Sequence, residues 1–291
     1  MKVCLACGCR FQGKDWHCPS CGHFPEVHHG HVAFAPHLTE EADGFDVEFF
    51  PELIEAEVGN FWFECRNRLL VWALDRYFPK ASSFLEIGCG TGFVLSGIKQ
   101  EFPELVLSAS DIFSRGLTYA EKRLPGVSLF QMDARCIPFE SEFDVIGAFD
   151  VLEHIEEDET VLSQMFRATK PGGGIMLTVP QHPFLWSFLD DLSCHKRRYT
   201  RPELTERVER AGFEVIYTTS FVFFLLPLLL LSRLKQRRPQ DNYDAMAEFK
   251  ISPLLNVTLG KVLGIEQILI ENGFSFPAGG SLLMIAKRCW R

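Results

Sequence analysis

An α/β fold with a small cysteine-bearing module ahead of it is what this sequence predicts, on three observations. Phe84-Leu85-Glu86-Ile87 is an apolar run of strand character that stops at Gly88-Cys89-Gly90-Thr91-Gly92, and a helix-forming pattern follows. That is the strand, turn and helix of a βαβ unit. Further strand-like runs alternate with helical stretches as far as residue 220, the ordering of a sheet flanked by helices. Ahead of them, two Cys-x2-Cys pairs lie within the first 24 residues.

The totals agree with a folded α/β protein. A chain of 291 residues is long enough for one large domain with an appendage, and 47% apolar with 23% charged residues is a globular composition. Lys and Arg number 29 against 38 Asp and Glu, for a formal charge of −9. That balance argues against a general attraction for nucleic acid or anionic membrane, although a local basic patch stays open. The start, Met1-Lys2-Val3-Cys4, has no secretory pattern, so a cytoplasmic location is expected. Cysteines there read as thiols or metal ligands rather than disulfides.

Taken in order, the chain opens with Cys4-x2-Cys7 and Cys18-x2-Cys21, ten residues apart. Each pair is a tight knuckle that turns both thiolates toward one ion, and two knuckles complete a tetrahedral site suited to zinc. The segment has few apolar residues, so metal is expected to supply much of its folding free energy. An iron-bound or metal-free knuckle is the alternative, and Cys9, His17 and His23 are near enough to compete. His28, His29 and His31 look like a second metal site, but their Gly- and Pro-flanked setting reads as a solvated loop. Residues 1–36 are therefore taken as module and linker, and 37–291 as the main domain. Residues 37–60 are acidic with interspersed Phe45, Phe49, Phe50 and Leu53, a helix or loop along that domain with no expected chemistry. From Phe61-Trp62-Phe63 through Arg66, Leu69, Leu70, Ala73, Leu74 and Phe78, apolar residues recur at helical spacing.

After the glycine turn, Leu105 to Ser110 make a second strand ending at Asp111. An acidic side chain at that tip, roughly 20 residues past a glycine turn, is placed to accept hydrogen bonds from ribose hydroxyls. Ser128 to Ala134 give a third strand bearing Asp133, and Phe143 to Asp150 a fourth running into Val151-Leu152-Glu153-His154. Pro171 to Pro180 turn into a fifth, Phe213 to Ser220 make a sixth and Ser281 to Lys287 the last.

Glu86-x-Gly88-x-Gly90-x-Gly92, with Asp111, Asp133, the Asp150-Val151-Leu152-Glu153-His154 stretch and the glycine-rich turn into strand five, resembles the class I S-adenosylmethionine-dependent methyltransferases. The resemblance covers about residues 60–220. It implies a Rossmann-like seven-stranded methyltransferase sheet with its last strand antiparallel, here with a small N-terminal zinc-binding module and a helical, apolar insertion at 221–280. It also implies cofactor contacts from Glu86, Gly88, Cys89, Gly90, Gly92, Asp111, Ile112, Asp133, Ala134 and Asp150. Arg66, on the helix ahead of strand one, would pair with the carboxylate of the methionine moiety, unless it is a solvent-facing arginine beside a core stripe.

Acceptor chemistry is expected after strand four, as the family implies. Transfer from a sulfonium is an in-line displacement in which alignment supplies much of the acceleration. A hydroxyl acceptor gains from a base, and His154 is the candidate because an unperturbed histidine titrates near neutrality; capping or support of the cofactor is the alternative for Glu153-His154. His195-Lys196-Arg197-Arg198-Tyr199-Thr200 resembles a subgroup of small-molecule methyltransferases. His195 is a second base candidate and Tyr199 a catalytic one, with His182 and Trp186 on the same side. In the competing reading Arg197 and Arg198 pair with Asp190 and Asp191 to hold the loop.

The insertion begins with the apolar run Phe221 to Leu231, interrupted by Pro227, then Arg233, Lys235, Arg237 and Arg238. It is short of the roughly 20 residues needed to cross a bilayer. Buried core or dimer contact, a peripheral membrane contact through 221–238, and a wall for an apolar acceptor all remain open. Gly264, Ile265, Leu269 and Ile270 suggest a second helix there.

Together these readings favour methyl transfer from S-adenosylmethionine to a small-molecule acceptor that is lipid-, quinone- or sugar-linked. The alternatives are a ribosomal RNA guanine methyltransferase that uses the zinc module on RNA, which this arrangement resembles although the charge of −9 and the lack of lysine runs in the module stand against it, and a non-catalytic cofactor-binding partner.

Overall fold

The computed structural model describes residues 1–13, 15–38, 50–235 and 251–290, with only the backbone of 234 and 235. Lys14, Phe45, Phe49, Arg237 and Arg238 lie outside the described residues, as does the side chain of Lys235.

Two antiparallel strands, β1 (Lys2–Val3) and β2 (Arg10–Phe11), flank the first cysteine knuckle, and the second follows β2. A hairpin follows, β3 (Glu26–His28) and β4 (His31–Ala33), and then the helices α1 (Phe50–Glu57) and α2 (Phe61–Tyr77). Asn60 caps α2 by accepting the Trp62 N–H at 2.9 Å, which satisfies one of the unpaired donors of the first turn. The alternating part runs β5 (Ser83–Ile87), α3 (Phe93–Glu101), β6 (Val106–Asp111), α4 (Ser114–Arg123), β7 (Ser128–Gln131), β8 (Phe143–Phe149), α5 (Asp158–Ala168) and β9 (Thr169–Pro180). It closes with α6 (Phe188–Leu192), α7 (Arg201–Arg210), β10 (Glu214–Phe221), α8 (Leu226–Lys235), α9 (Pro253–Glu271) and β11 (Ser281–Lys287).

The sheet order is β10-β11-β9-β8-β5-β6-β7-β4-β3. All seven expected strands are present, and β11 is antiparallel to both neighbours. The hairpin adds two more at the far edge, where β4 runs parallel to β7. That placement corrects the solvated-loop reading for His31 and for the half-buried His28 on β3, while His29 lies exposed in the hairpin turn. His31 lies buried on β4 with Nε2 3.8 Å from Glu121, and burial lowers its pKa. Both faces of the sheet are covered, because adjacent strand residues point to opposite sides. Leu85, Ile146 and Leu177 belong to one apolar cluster, Phe84, Val145 and Met176 to the other.

The module is docked on this sheet. Trp16 packs edge-on against Phe34 at 4.5 Å and against Phe139 at 5.4 Å between ring centroids, and the Val3 N–H reaches Pro138 O at 2.9 Å. Apolar burial against the main domain therefore supplements the cysteine cluster in ordering residues 1–24. The apolar run at 221–231 is divided: Phe221, Val222 and Leu225 are buried, while Leu228 and Leu231 are exposed. The second helix of the insertion, α9, is long and apolar enough to cross a membrane by length and composition alone. One side is fixed to α2 by Asn256, whose Oδ1 accepts the Phe61 N–H at 2.8 Å; Leu254, Val257, Ile265 and Ile268 on it are exposed.

From β5 the chain steps outward through β6 and β7, then returns to place β8 and β9 on the other side. This reversal opens a crevice at the carboxyl ends of β5 and β8, where open α/β sheets bind ligands.

Candidate active site

The turn after β5 needs glycine for two separate reasons. Gly88 has φ +70°, and a Cβ there would come within 2.5 Å of Val151 Cγ2. Gly92 has φ +77°, and its Cβ would meet Leu124 Cδ1 at 2.7 Å. A side chain at either would force the turn away from its neighbours. Between them the Gly90 N–H donates to Asp111 Oδ2 at 2.8 Å, so the tip of β6 holds the turn in place. From outside, Thr91 Oγ1 donates to Glu57 Oε1 at 2.5 Å and Arg123 Nη1 to Glu57 Oε2 at 2.7 Å. Glu57 thus gives the 37–60 stretch a structural part in holding the turn. No motif marks it, because its partners are distant in sequence.

A cavity of about 500 Å³ opens beside this turn, lined among others by Gly88, Asp111, Ile112, Asp133, Ala134 and Asp150. Burial raises the pKa of Asp111, opposed by the backbone N–H groups of Phe113 and Gly90. Asp133 is gripped by Arg135, whose Nε lies 3.0 Å from each carboxylate oxygen. Asp150 sits at φ +58°, uncommon for a residue with a side chain. It is held there by its N–H to Thr178 O at 2.9 Å, by Thr178 Oγ1 at 3.1 Å and by Arg66 Nη2 at 2.7 Å. Glu86 and Cys89 lie buried beneath the turn rather than on the cavity wall. The Glu86 Oε2 and the Arg66 Nε have no hydrogen-bond partner, and burial pushes the Glu86 carboxyl up to about 8 against the nearby Arg66 charge.

The same cavity is lined by His154 and Lys196. Burial, then the neighbouring His195, press the His154 pKa down to about 3. The near-neutral value expected of it therefore does not survive, and its ring is neutral at pH 7. His195 stands edge-on to it, with centroids 4.7 Å apart. The loop is drawn in by the Lys196 N–H on Glu153 O at 2.7 Å. His195 Nδ1 faces Asp190 Oδ1 at 2.9 Å, and Arg198 clamps both oxygens of Asp190 at 2.7 and 3.1 Å. Despite burial, His195 and Arg198 hold the Asp190 carboxyl down at about 2.

Three expectations for this loop need correction. Tyr199 is not at the cavity; it is 1% exposed, and its hydroxyl donates to the buried Asp158 Oδ2 at 2.7 Å. Pairing of Gln181 with Tyr199 along the end of β9 turns that ring into the core. Arg197 and Arg198 hold the loop, but with Asp158 and Asp190 rather than Asp190 and Asp191. Asp191 instead accepts the Trp186 indole N–H at 3.0 Å, and the His182 ring stacks on Phe184, so neither Trp186 nor His182 lines the cavity.

A second cluster lies in the module. One thiol each from Cys4, Cys7, Cys18 and Cys21 come within 4.8 Å of one another, with Cys4 to Cys21 at 3.7 Å and Cys7 to Cys18 at 3.6 Å. Cys9 is turned to Arg10 O, and the His17 ring packs on Phe24.

A glycine turn, an acidic residue at the tip of the second parallel strand and a cavity at the switch point define a cofactor-binding α/β fold of the class I S-adenosylmethionine methyltransferase type. The family described as "Methyltransferase domain" matches residues 56–218, more than half of the chain, and the chain belongs to that family. A probable S-adenosylmethionine-dependent methyltransferase of Mycolicibacterium smegmatis is 27% identical over 159 residues, 54% of this chain and 60% of that protein. Malonyl-[acyl-carrier protein] O-methyltransferase of Priestia megaterium is 26% identical over 38% of this chain and 42% of its own length. The chain thus spans less than two thirds of either relative. In fold, it is similar to Haemonchus contortus phosphoethanolamine N-methyltransferase 2 in complex with S-adenosyl-L-methionine, with a TM-score of 0.52, 20% identity, and 77% of this chain and 53% of that chain covered.

Proposed function

We propose that this protein transfers a methyl group from S-adenosylmethionine to a small-molecule acceptor, with the His154–His195 pair activating the acceptor. The observation that carries this is one cavity lined both by Gly88 of the glycine turn and Asp111 and by His154 and Lys196. Its volume suits a ligand of cofactor size. The unpartnered Arg66 Nε, on the arginine that pairs with the cavity-lining Asp150, suits the carboxylate of an amino-acid moiety. Bound there, the cofactor supplies an electrophilic methyl on a good leaving group. Asp111 would hold the ribose, Ile112 and Ala134 would face the adenine, and Asp150 with Arg66 would fix the methionine end. Relatives such as malonyl-[acyl-carrier protein] O-methyltransferase and trans-aconitate 2-methyltransferase support an acidic acceptor, and Lys196 on the cavity wall is a cation that could meet it.

The cysteine cluster supports a structural zinc ion. Bonds of about 2.3 Å from zinc to sulfur put tetrahedral sulfurs about 3.8 Å apart, close to the observed pairs. Two of the module's basic side chains are paired within the protein, Lys2 with Gly13 O and Asp15 O and Arg10 with Glu140, and with a formal charge of −9 on the chain the RNA reading has less support. The test is transfer of isotopic label from the methyl group of S-adenosylmethionine into fractionated cell extract. Label in a small-molecule fraction supports the proposal, and label in RNA would reverse it. Absence of cofactor binding by calorimetry would end it.

A further inference from the structure

We infer that Glu153, His154 and His195 form a binding site for a divalent transition-metal ion beside the cofactor cavity. A carboxylate oxygen of Glu153 and one ring nitrogen from each histidine lie within 4.8 Å of one another. Metal bonds of about 2.1 Å bring donors to about 3–4 Å, so side-chain closure of about an ångström completes the set.

Three independent observations point to a ligand. Glu153 is 1% exposed, yet its Oε2 has no hydrogen-bond partner, and a buried carboxylate oxygen left unmatched is costly. The two arginines whose charge reaches it are committed elsewhere, Arg66 to Asp150 and Arg198 to Asp190. Next, His154 Nδ1 is also buried and unpartnered, beside the Glu153 backbone that Lys196 clasps. Finally, His195 Nδ1 is turned to the Asp190 carboxylate at 2.9 Å, which keeps the proton on Nδ1 and leaves Nε2 as a lone pair. A carboxylate behind a histidine is how metal-binding imidazoles are commonly oriented. Asp190 is held for that task by Arg198 and by the Ser187 N–H at 2.9 Å.

Two imidazoles and one carboxylate suit zinc, iron(II), cobalt(II) or manganese(II) better than magnesium or calcium, and they leave coordination positions open. Resting on the methyltransferase reading, the structure then favours an oxygen acceptor. A hydroxyl coordinated at the open position loses its proton to water more readily. Its oxygen lone pair forms the O–C bond while the C–S bond breaks, its electron pair going to the sulfur of the departing thioether.

The test is cobalt(II) added to full-length protein whose cysteine site is loaded with zinc, followed by dialysis and metal analysis. One further equivalent is expected, with visible bands but no near-ultraviolet thiolate band. Affinity should fall at least tenfold in Glu153→Gln and His195→Gln, while S-adenosylmethionine affinity, measured on the same samples, reports the cofactor site separately. Should either variant fail to fold, X-ray absorption of wild-type cobalt must show imidazole scattering in a nitrogen and oxygen shell. No added equivalent, a thiolate spectrum, or affinity unchanged in folded variants would overturn the site. Label transfer that persists after this equivalent is removed would overturn its part in acceptor activation and leave the methyltransferase reading intact.

Discussion

Thr91, in the middle of the glycine turn, donates its hydroxyl proton across 2.5 Å to Glu57, which lies ahead of the first strand of the alternating sheet. Arg123 completes the triangle from the end of α4, with Nη1 2.7 Å from Glu57 Oε2 and 2.8 Å from Thr91 Oγ1. Glu57 is 3% exposed, so its removal leaves Arg123 facing a buried gap. Glu57→Ala is expected to lower unfolding stability by about 3 kcal/mol, read by denaturant titration. The loosened turn should also bind S-adenosylmethionine about tenfold more weakly. Unaltered affinity in the destabilised variant would show that the turn is shaped by its own backbone.

Asp111 has a double duty that separates two variants. Its oxygens accept the Gly90 and Phe113 N–H groups at 2.8 and 2.9 Å while it also lines the cavity. Asp111→Asn keeps one acceptor oxygen but turns an amide donor toward one of those N–H groups. Calorimetry should show affinity for S-adenosylmethionine lowered about 10- to 100-fold, or about 1.4–2.7 kcal/mol, with Asp111→Ala at least as weak. Wild-type affinity in both would remove Asp111 from the cofactor site.

Glu86 gives a pH dependence with a defined sign. Its folded carboxyl is pushed up to about 8, above the unfolded value near 4.3. Between these values the folded state binds more protons than the unfolded one, so its contribution is fully present below about pH 4.3 and is lost as pH rises through about 8. The melting temperature of ligand-free protein should therefore fall less steeply from pH 6 to pH 9 in Glu86→Gln than in wild type. Parallel curves would mean that Glu86 ionises normally.

The fold was legible wherever it rested on local pattern. Apolar runs bounded by Gly88, Asp111 and Asp150 marked strands because a sheet buried on both faces leaves no polar alternation. The glycine turn was legible because positive φ and close approach to Val151 admit little else. What escaped was set by distant contacts: Glu57 meets Thr91, Asp158 gathers Tyr199, Arg197 and Arg207, and the hairpin with His31 finds the edge of β7. None of these has a spacing rule. The HKRRYT segment showed the limit most clearly, since its charges suggested a site while most of them are spent on buried aspartates.

Metal removal tests how the module stays folded. Trp16 sits among Phe11, Phe34, Phe130 and Phe139, so its fluorescence reports docking of the module. With the proposed zinc at the cysteine cluster, chelation should shift Trp16 emission to the red and open residues 1–24 to proteolysis, with Cys7→Ser behaving likewise. The four other tryptophans are controlled for by Trp16→Phe. Because aromatic burial also holds the segment, loss of the main domain's melting transition is not expected.

Tyr199 provides the contrast between holding the site and performing its chemistry. Its hydroxyl meets Asp158 Oδ2 at 2.7 Å, while Arg207 Nη1 reaches Oδ1 at 2.6 Å and Arg197 Nη1 reaches Oδ2 at 3.0 Å. Tyr199→Phe keeps the buried ring and leaves Asp158 with both arginines, so the expected loss is one hydrogen bond to a charged group, about 1.5–3 kcal/mol in stability. At a temperature where the variant is folded, kcat and KM for the methyl acceptor should match wild type. His195→Gln should lower kcat under the same conditions, because the proposed acceptor activation rests on His195 against His154, which lines the cavity. If Tyr199→Phe kept its stability and lost turnover, the tyrosine would return to the chemistry and the loop would have to open far enough to bring it to the cavity.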